Sequence, residues 1–293
     1  MLEDLKKAAE IAKKVRKDAE NLLKPGESIL YIAEYIEQKI IDLGGFPAFP
    51  VNISINNIAA HYTPKVDDNT ILKDGDVVKF DYGVHINGYS IDTAFTVEIN
   101  DNKYKDLIEA SRQALENVKK IIRKDIELYK IGETVENTIK SFGYKPIYNL
   151  SGHGIKRYVL HADIMIPNYN NNSKSKLSEG IYAIEPFATN GSGYVKDYIP
   201  SGIYEIISDK PIRDPTAKKL FNELYQKYNT LPFAYRWIYK DYKDKINIKI
   251  AMEYLKRNGN IYEHPVLIEQ SNGIVSQFET TFYIGDKVLD LME

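Results

Sequence analysis

The sequence predicts an α+β chain made of two related halves, with a helical unit inserted near the C-terminal end. Three observations carry that expectation. Paired helix-forming stretches occur twice, over 5–44 and 107–143, each pair closed by glycine, and strand-forming runs follow both. Lys24-Pro25-Gly26-Glu27-Ser28 is echoed by Lys130-Ile131-Gly132-Glu133-Thr134 at an offset of 106, and "LKDGDVVKFD" (72–81) by "LSEGIYAIEP" (177–186) at an offset of 105. Two echoes at nearly one offset mark an internal duplication. The stretch from about 209 to 263 has no counterpart in either half and reads as the insertion.

The first helix carries Leu5, Ala8, Ala9, Ile11, Ala12, Val15, Ala19 and Leu22 at helical spacing and stops at "LLKPGES". "ILYIAEYIEQKIIDLG" forms the second, with Gly44-Gly45 as its stop. "FDYGVHINGYSIDTAFTVE" (80–98) reads as a hairpin, because Asn87-Gly88 lies between runs of β-formers. A two-residue turn there sets Asp81 opposite Ala94 and Asp92 opposite Gly83. The two aspartates become diagonal neighbours on one face, roughly 6–8 Å apart at the backbone. Phe80, Tyr82, Val84, Ile91, Phe95 and Val97 fill the other face. The acidic face, otherwise mostly small residues, either cradles a cation or meets solvent. The second helical pair is expected to break at "KIGET" and end at Gly143. Asp214-Pro215 starts a helix in the insertion, and a further helix spans about 246–257. The chain then returns to strands in "PVLIEQSNGIVSQFETTFYI", with a turn at Asn272-Gly273 and Glu279 in the second strand.

The bulk properties exclude several classes. Of 293 residues, 43% are hydrophobic and 27% charged, the composition of a folded globule. A net charge of −2 gives no global basic field for nucleic acid or an anionic membrane. With no cysteine there is no disulfide, thiolate ligand or cysteine nucleophile, which fits the cytoplasm. The N-terminal segment is charged and helical rather than a signal peptide, and no apolar run approaches the roughly 20 residues of a membrane span.

Three further positions join Asp81 and Asp92. His153 lies between two glycines in "SGHGI", Glu185 in the apolar "IEPF", and Glu279 in "QFET". Four carboxylates and an imidazole in strand or strand-edge settings suit two hard-to-borderline divalent ions.

These residues fall in "NNIAAHYTP" (56–64), "FDYGVHINGYSIDTAFTVE" (80–98), "NLSGHGIKRYVLHA" (149–162), "YAIEPFATNGSGYVKD" (182–197), "LPFAYRW" (231–237) and "HPVLIEQSNGIVSQFE" (264–279). The collinear set resembles the type 2 methionine aminopeptidases, the archaeal ones most, since no charged N-terminal extension is present. The resemblance implies the duplicated pita-bread (creatinase/aminopeptidase) fold. Residues 1–208 and 264–293 would form the catalytic domain and 209–263 the helical subdomain. It implies Asp81, Asp92, His153, Glu185 and Glu279 as ligands of two divalent ions (cobalt, manganese, iron or zinc), with Asp92 and Glu279 shared. Catalysis would rest on His61, His161 and Glu185, and on a hydroxide held between the ions. Phe49, Leu160, Phe187, Ile203 and His264, with both histidines, would bind the substrate. The expected activity is removal of the initiator methionine from chains with a small second residue. The expected protein is a cytoplasmic monomer that meets nascent-chain N-termini, with transient ribosome contact and no membrane or specific nucleic-acid partner. Two departures stand out: Thr280-Thr281 replaces the usual His-Thr after Glu279, and His264 stands where tyrosine is common. The rivals are a non-catalytic homologue that binds ribosome or RNA, and a proline-directed peptidase of the same fold. All five ligands are present, and only about 60 residues precede His61, which disfavours both.

Overall fold

The structure is a computed structural model describing residues 1–293. The first half runs α1 (Leu2–Leu22), α2 (Ile29–Asp42), β1 (Phe46–Pro47), β2 (Asn52–Ile55), β3 (Ile58–Ala60), β4 (Val77–Ile86) and β5 (Tyr89–Glu98). The second runs α3 (Lys105–Ile121), α4 (Leu128–Ser141), β6 (Lys145–Pro146), β7 (Ser151–Lys156), β8 (Val159–Pro167), β9 (Gly180–Ile184), β10 (Phe187–Thr189) and β11 (Val195–Ile206). A helical excursion follows: α5 (Pro215–Tyr228), β12 (Phe233–Ala234), α6 (Tyr235–Asp241) and α7 (Lys245–Asn258). The chain closes with β13 (Ile261–Glu269), β14 (Val275–Gln277), β15 (Thr280–Ile284) and β16 (Val288–Asp290).

The helices lie outside the sheets with their apolar stripes inward. The buried side of α1 is Leu5, Ala8, Ala9, Ile11, Ala12, Val15 and Ala19, the predicted period. Its small residues bring β4 close enough for Tyr82 to donate to Ala12 O at 2.8 Å. The hairpin register is as expected: Asp81 faces Ala94 and Gly83 faces Asp92, with Asn87 and Gly88 at φ +52° and +81°. Phe80, Tyr82, Val84, Ile91 and Phe95 are buried in the core, and Val97 is half-buried.

The duplication is real, but its helical register differs from the expected one. Gly44 and Gly143 end α2 and α4 with left-handed φ of +87° and +84°, an offset of 99 rather than 106. The α1–α2 link is stitched by Gly26 N to Leu72 O and Leu72 N to Glu27 O. The α3–α4 link repeats this with Asp125 N to Leu177 O and Leu177 N to Ile126 O. The strand echo at offset 105 is therefore genuine, and "KIGET" is not the helix break. It lies inside α4, where Gly132 is needed because a Cβ there would sit 2.1 Å from Tyr169 O. The break falls at 122–127, where Asp125 takes the left-handed turn (φ +63°) that Gly26 takes in the first half.

The halves meet where Ala94 and Glu279 pair antiparallel, with Glu279 N donating to Ala94 O at 2.9 Å and Asp92 N to Thr281 Oγ1 at 2.8 Å. A second correction concerns this C-terminal stretch. The chain turns at Asn272-Gly273 as expected, with Asn272 at φ +64°, but β13 and β14 belong to different sheets, and Glu279 lies between β14 and β15 rather than within a strand. The cause is Glu269, whose buried carboxylate accepts from Ser192 N, Ser271 N and Gly273 N and folds the chain away after β13.

The excursion leaves β11 and returns to β13 at the paired residues Ile206 and Ile261. It has its own small core, including Leu220, Leu224, Phe233, Met252 and Leu255. Asp214 caps α5 at Ala217 N, 2.7 Å away, with Pro215 in the first turn as expected; α6 was not foreseen. No helix is long and apolar enough to cross a membrane.

Candidate metal centre

Four separate stretches of chain bring the acidic side chains together. Asp81 and Asp92 share a face of the first hairpin through its register. His153 comes from β7, Glu185 from the β9–β10 junction and Glu279 from the seam between the halves. His153 Nε2 lies 3.4 Å from Asp92 Oδ2, and one donor atom each from Asp92, His153 and Glu279 fit within 4.8 Å of one another. Gln277 Nε2 donates to Glu185 Oε2 at 3.3 Å and Glu279 Oε2 at 3.4 Å, which ties a fourth carboxylate to the group. Asp81 Oδ1 is buried without a hydrogen-bond partner.

The electrostatics ask for a cation. Burial pushes the carboxyls of Asp81, Glu185 and Glu279 well above the ordinary range, and the Asp92 charge pushes each further. No lysine or arginine lines the site. Lys79, two residues from Asp81, donates instead to Asn56 O and Val275 O at 3.0 and 2.9 Å. Buried carboxylates without a counter-charge are strongly unfavourable, and divalent ions relieve exactly that field while satisfying the orphaned oxygen. Oxygen and imidazole donors without thiolate suit manganese, iron, cobalt or zinc. The residues therefore fit divalent metal.

A cavity of about 570 Å³ opens over these groups, and all twelve residues singled out from the sequence line it. Phe49, Leu160, Phe187 and Ile203 supply buried apolar wall, and Gly83, opposite Asp92, lets Phe49 in, since a Cβ there would meet Phe49 Cε1 at 2.4 Å. His61 follows β3 with φ +63°, a conformation that costs an L-residue roughly 1–2 kcal/mol. Its Nδ1 lies 3.2 Å from Pro265 O, so Nδ1 carries the proton and Nε2 is left as an acceptor. Burial first, then His264, lowers its pKa to about 4. The His161 ring stands 4.4 Å from that of His153, centre to centre, and desolvation in the cavity, with His153 next, holds its pKa well below the ordinary value. His264 packs edge-on to His61 at 5.7 Å and its Nε2 lies 3.1 Å from Glu205 Oε2.

Two supports were not read from the sequence. Gln277 is one. The other is a buried ion pair, Glu37 with Arg236, which joins α2 to the excursion. Glu37 Oε1 also accepts from Val51 N at 3.0 Å, Arg236 donates to Pro64 O and Thr63 Oγ1 at 3.1 Å each, and Trp237 Nε1 donates to Glu37 Oε2 at 2.7 Å. The network grips the segments that carry Phe49 and His61. Its signal was the Arg-Trp of "LPFAYRW", but nothing local pointed to Glu37.

A duplicated α+β domain with a buried carboxylate–histidine centre at its seam defines a metallopeptidase of the pita-bread fold. Residues 3–228 match the model of metallopeptidase family M24, and the chain belongs to that family. It is 48% identical to a methionine aminopeptidase of Pyrococcus abyssi, over 97% of this chain and 96% of the relative. It is 46% identical to one of Methanocaldococcus jannaschii, over 99% and 97%. Among solved structures it superposes on a methionine aminopeptidase of Thermotoga maritima with a TM-score of 0.72 at 21% identity, over 99% of this chain and 96% of that one. It also superposes on a thermophilic Arx1 with a TM-score of 0.86 at 19% identity, over 99% and 90%. These last two likenesses concern the fold.

Proposed function

We propose that the chain is a methionyl aminopeptidase that removes N-terminal methionine from peptides with a small second residue. The observation that carries this reading is the cavity itself, which joins an acidic, imidazole-bearing floor to an apolar recess. Asp81, Asp92, His153, Glu185 and Glu279 would hold two divalent ions. Bound there, the ions supply an activated water and polarise the scissile carbonyl.

The remaining steps belong to side chains. Phe49, Leu160, Phe187 and Ile203 receive the unbranched thioether, a soft group suited to such a wall. His61 is neutral at pH 7 and offers Nε2 as acceptor to the N–H of the scissile amide, which orients the leaving nitrogen. His161 faces the carbonyl and stabilises the negative charge that develops there. Glu185, oriented by Gln277 Nε2, moves a proton from the attacking water to the leaving amine. The histidines crowd the space beside the scissile bond, so a bulky second residue collides with them. In this reading the chain works as a cytoplasmic monomer on nascent-chain N-termini, with only transient ribosome contact.

The test is release of methionine from Met-Ala and Met-Trp peptides by the metal-loaded protein. Met-Ala should be cleaved at least a hundredfold faster, about 2.7 kcal/mol in the transition state; equal rates would overturn the specificity reading.

A further inference from the structure

Asn52, on β2, lines the acidic cavity, is only 3% exposed and keeps one end of its amide unpaired. Its Nδ2 donates to Pro50 O at 3.0 Å, and that bond fixes which end of the amide is nitrogen. Oδ1 is left buried without a hydrogen-bond partner. A buried acceptor with no donor is costly, and one kept in the wall of a binding cavity points to a donor that arrives with the ligand.

Position identifies that donor. Asn52 lies directly opposite Asp81 on β4, so the two side chains share a face, and Asp81 Oδ1 is likewise buried and unpaired. Two residues along β4, on the same face, Gly83 makes room for the ring of Phe49. Asn52 therefore stands where the apolar recess meets the carboxylate floor. A methionine seated with its thioether against Phe49 and its carbonyl over the floor carries its α-amine on the carbon that joins the two, at this junction. No lysine or arginine of the cavity competes for the oxygen. The other amide in the wall, Asn149, is spent at both ends on Val195, donating to its O at 2.8 Å and accepting from its N at 2.9 Å.

We propose that Asn52 Oδ1 accepts a hydrogen bond from the free α-amine of the substrate and so helps to tell a chain end from an internal methionine. The inference rests on the aminopeptidase reading above. A neutral amide suits the task, because it offers an acceptor beside four buried carboxylates without adding a fifth charge to them. An acylated nitrogen, as in the interior of a chain, keeps a single N–H and brings a carbonyl oxygen, which Oδ1 repels.

Calorimetric titration of the manganese-loaded protein with two ligands that have no bond to cleave tests this: L-methioninol, and its des-amino analogue 4-(methylthio)butan-1-ol. The wild type should bind methioninol more tightly. In Asn52→Leu, methioninol should bind roughly tenfold more weakly, which is ~1.4 kcal/mol, while the affinity for the des-amino compound and the metal content stay as in the wild type. Asn52→Asp keeps the oxygen but loses the bond to Pro50 O, and it should keep at least the wild-type preference for the amine. An unchanged methioninol affinity in Asn52→Leu, an equal weakening of both ligands, a loss of metal, or a preference lost in Asn52→Asp as well would overturn the role, since Oδ1 would then serve the ions or the fold. Inactivity of the wild type towards every methionyl peptide would instead overturn the aminopeptidase reading, and this assignment with it.

Discussion

The two halves of the domain place equivalent carboxylates by different local means. In the first, β4 and β5 keep one register from Val77 opposite Glu98 to Ile86 opposite Tyr89. Asn52 on β2 lies opposite Asp81. In the second, His153 on β7 lies opposite Ala183 on β9, and the same register carried two residues further sets Ser151 opposite Glu185. Glu185 thus takes the place in its sheet that Asp81 takes in the first, one residue off the strand echo of 105. Yet the partner hairpin of the second half slips twice, at His153/Gly154 and at Gly154/Lys156. Regular pairing is enough when two carboxylates share a face, as those of Asp81 and Asp92 do. The rings of His153 and His161 stand 4.4 Å apart, centre to centre, across a strand pair whose register slips on both sides of Gly154. The helices show the same divergence. Glu37 on α2 and Glu136 on α4 stand 99 residues apart at equivalent positions. Glu37 is buried against Arg236, whereas Glu136 pairs with Lys140 near the surface. Only one half received an insertion to pack on. A duplicated frame fixes where a residue sits, and the later additions decide what it does.

The largest effect expected from breaking this frame comes from the regular hairpin. Lengthening Asn87-Gly88 by one residue turns Asp81 and Asp92 to opposite faces. The variant should lose bound metal and fall by roughly four orders of magnitude in kcat, as Asp92→Ala should. Full metal occupancy in the lengthened protein would break the register argument.

His61 separates placement from ligation. His61→Ala should keep its metal while kcat falls about two to four orders of magnitude, the usual span for an acid–base or electrostatic group. Metal analysis and single-turnover rates on one preparation decide it; metal loss or a near-normal rate would remove the assigned role.

The pair Glu37 and Glu136 sharpens the comparison between halves. Glu37→Ala strands a buried guanidinium and should cost about 3–5 kcal/mol in urea unfolding. Glu136→Ala should cost less than about 1 kcal/mol. Equal costs would mean that the insertion is not anchored through Glu37.

Acid stability should show the smallest effect. Burial alone would raise the Glu269 pKa, but hydrogen bonds from Ser192, Gly273 and Ser271 outweigh it and hold the value at about 2. The folded pKa lies below the ordinary value of 4.5, so its stabilisation is present above that pH and is lost as the pH falls from 4.5 through 2. The contribution is at most about 3 kcal/mol, less whatever solvent screens. Glu269→Gln should flatten this part of the pH–stability curve; an unchanged slope would show that the acid transition lies elsewhere.

Local chemistry determined a good deal of this protein from the sequence by itself. The first hairpin, the α1 and α2 stripes and the Asp214-Pro215 helix start were legible because turn chemistry and periodicity act within a few residues. The α3–α4 break was not, because Arg-Lys-Asp does there what Pro-Gly does in the first half, and a glycine required for close packing against Tyr169 mimicked a stop. The twelve residues named through resemblance lie together in one cavity of the tertiary structure. What only the tertiary structure decided are the pairings between distant segments: Ala94 with Glu279 at the seam, Glu37 with Arg236, and Gln277 between Glu185 and Glu279. Such contacts form when whole faces of helix and sheet meet, and no short-range pattern in either partner records which face the other will present.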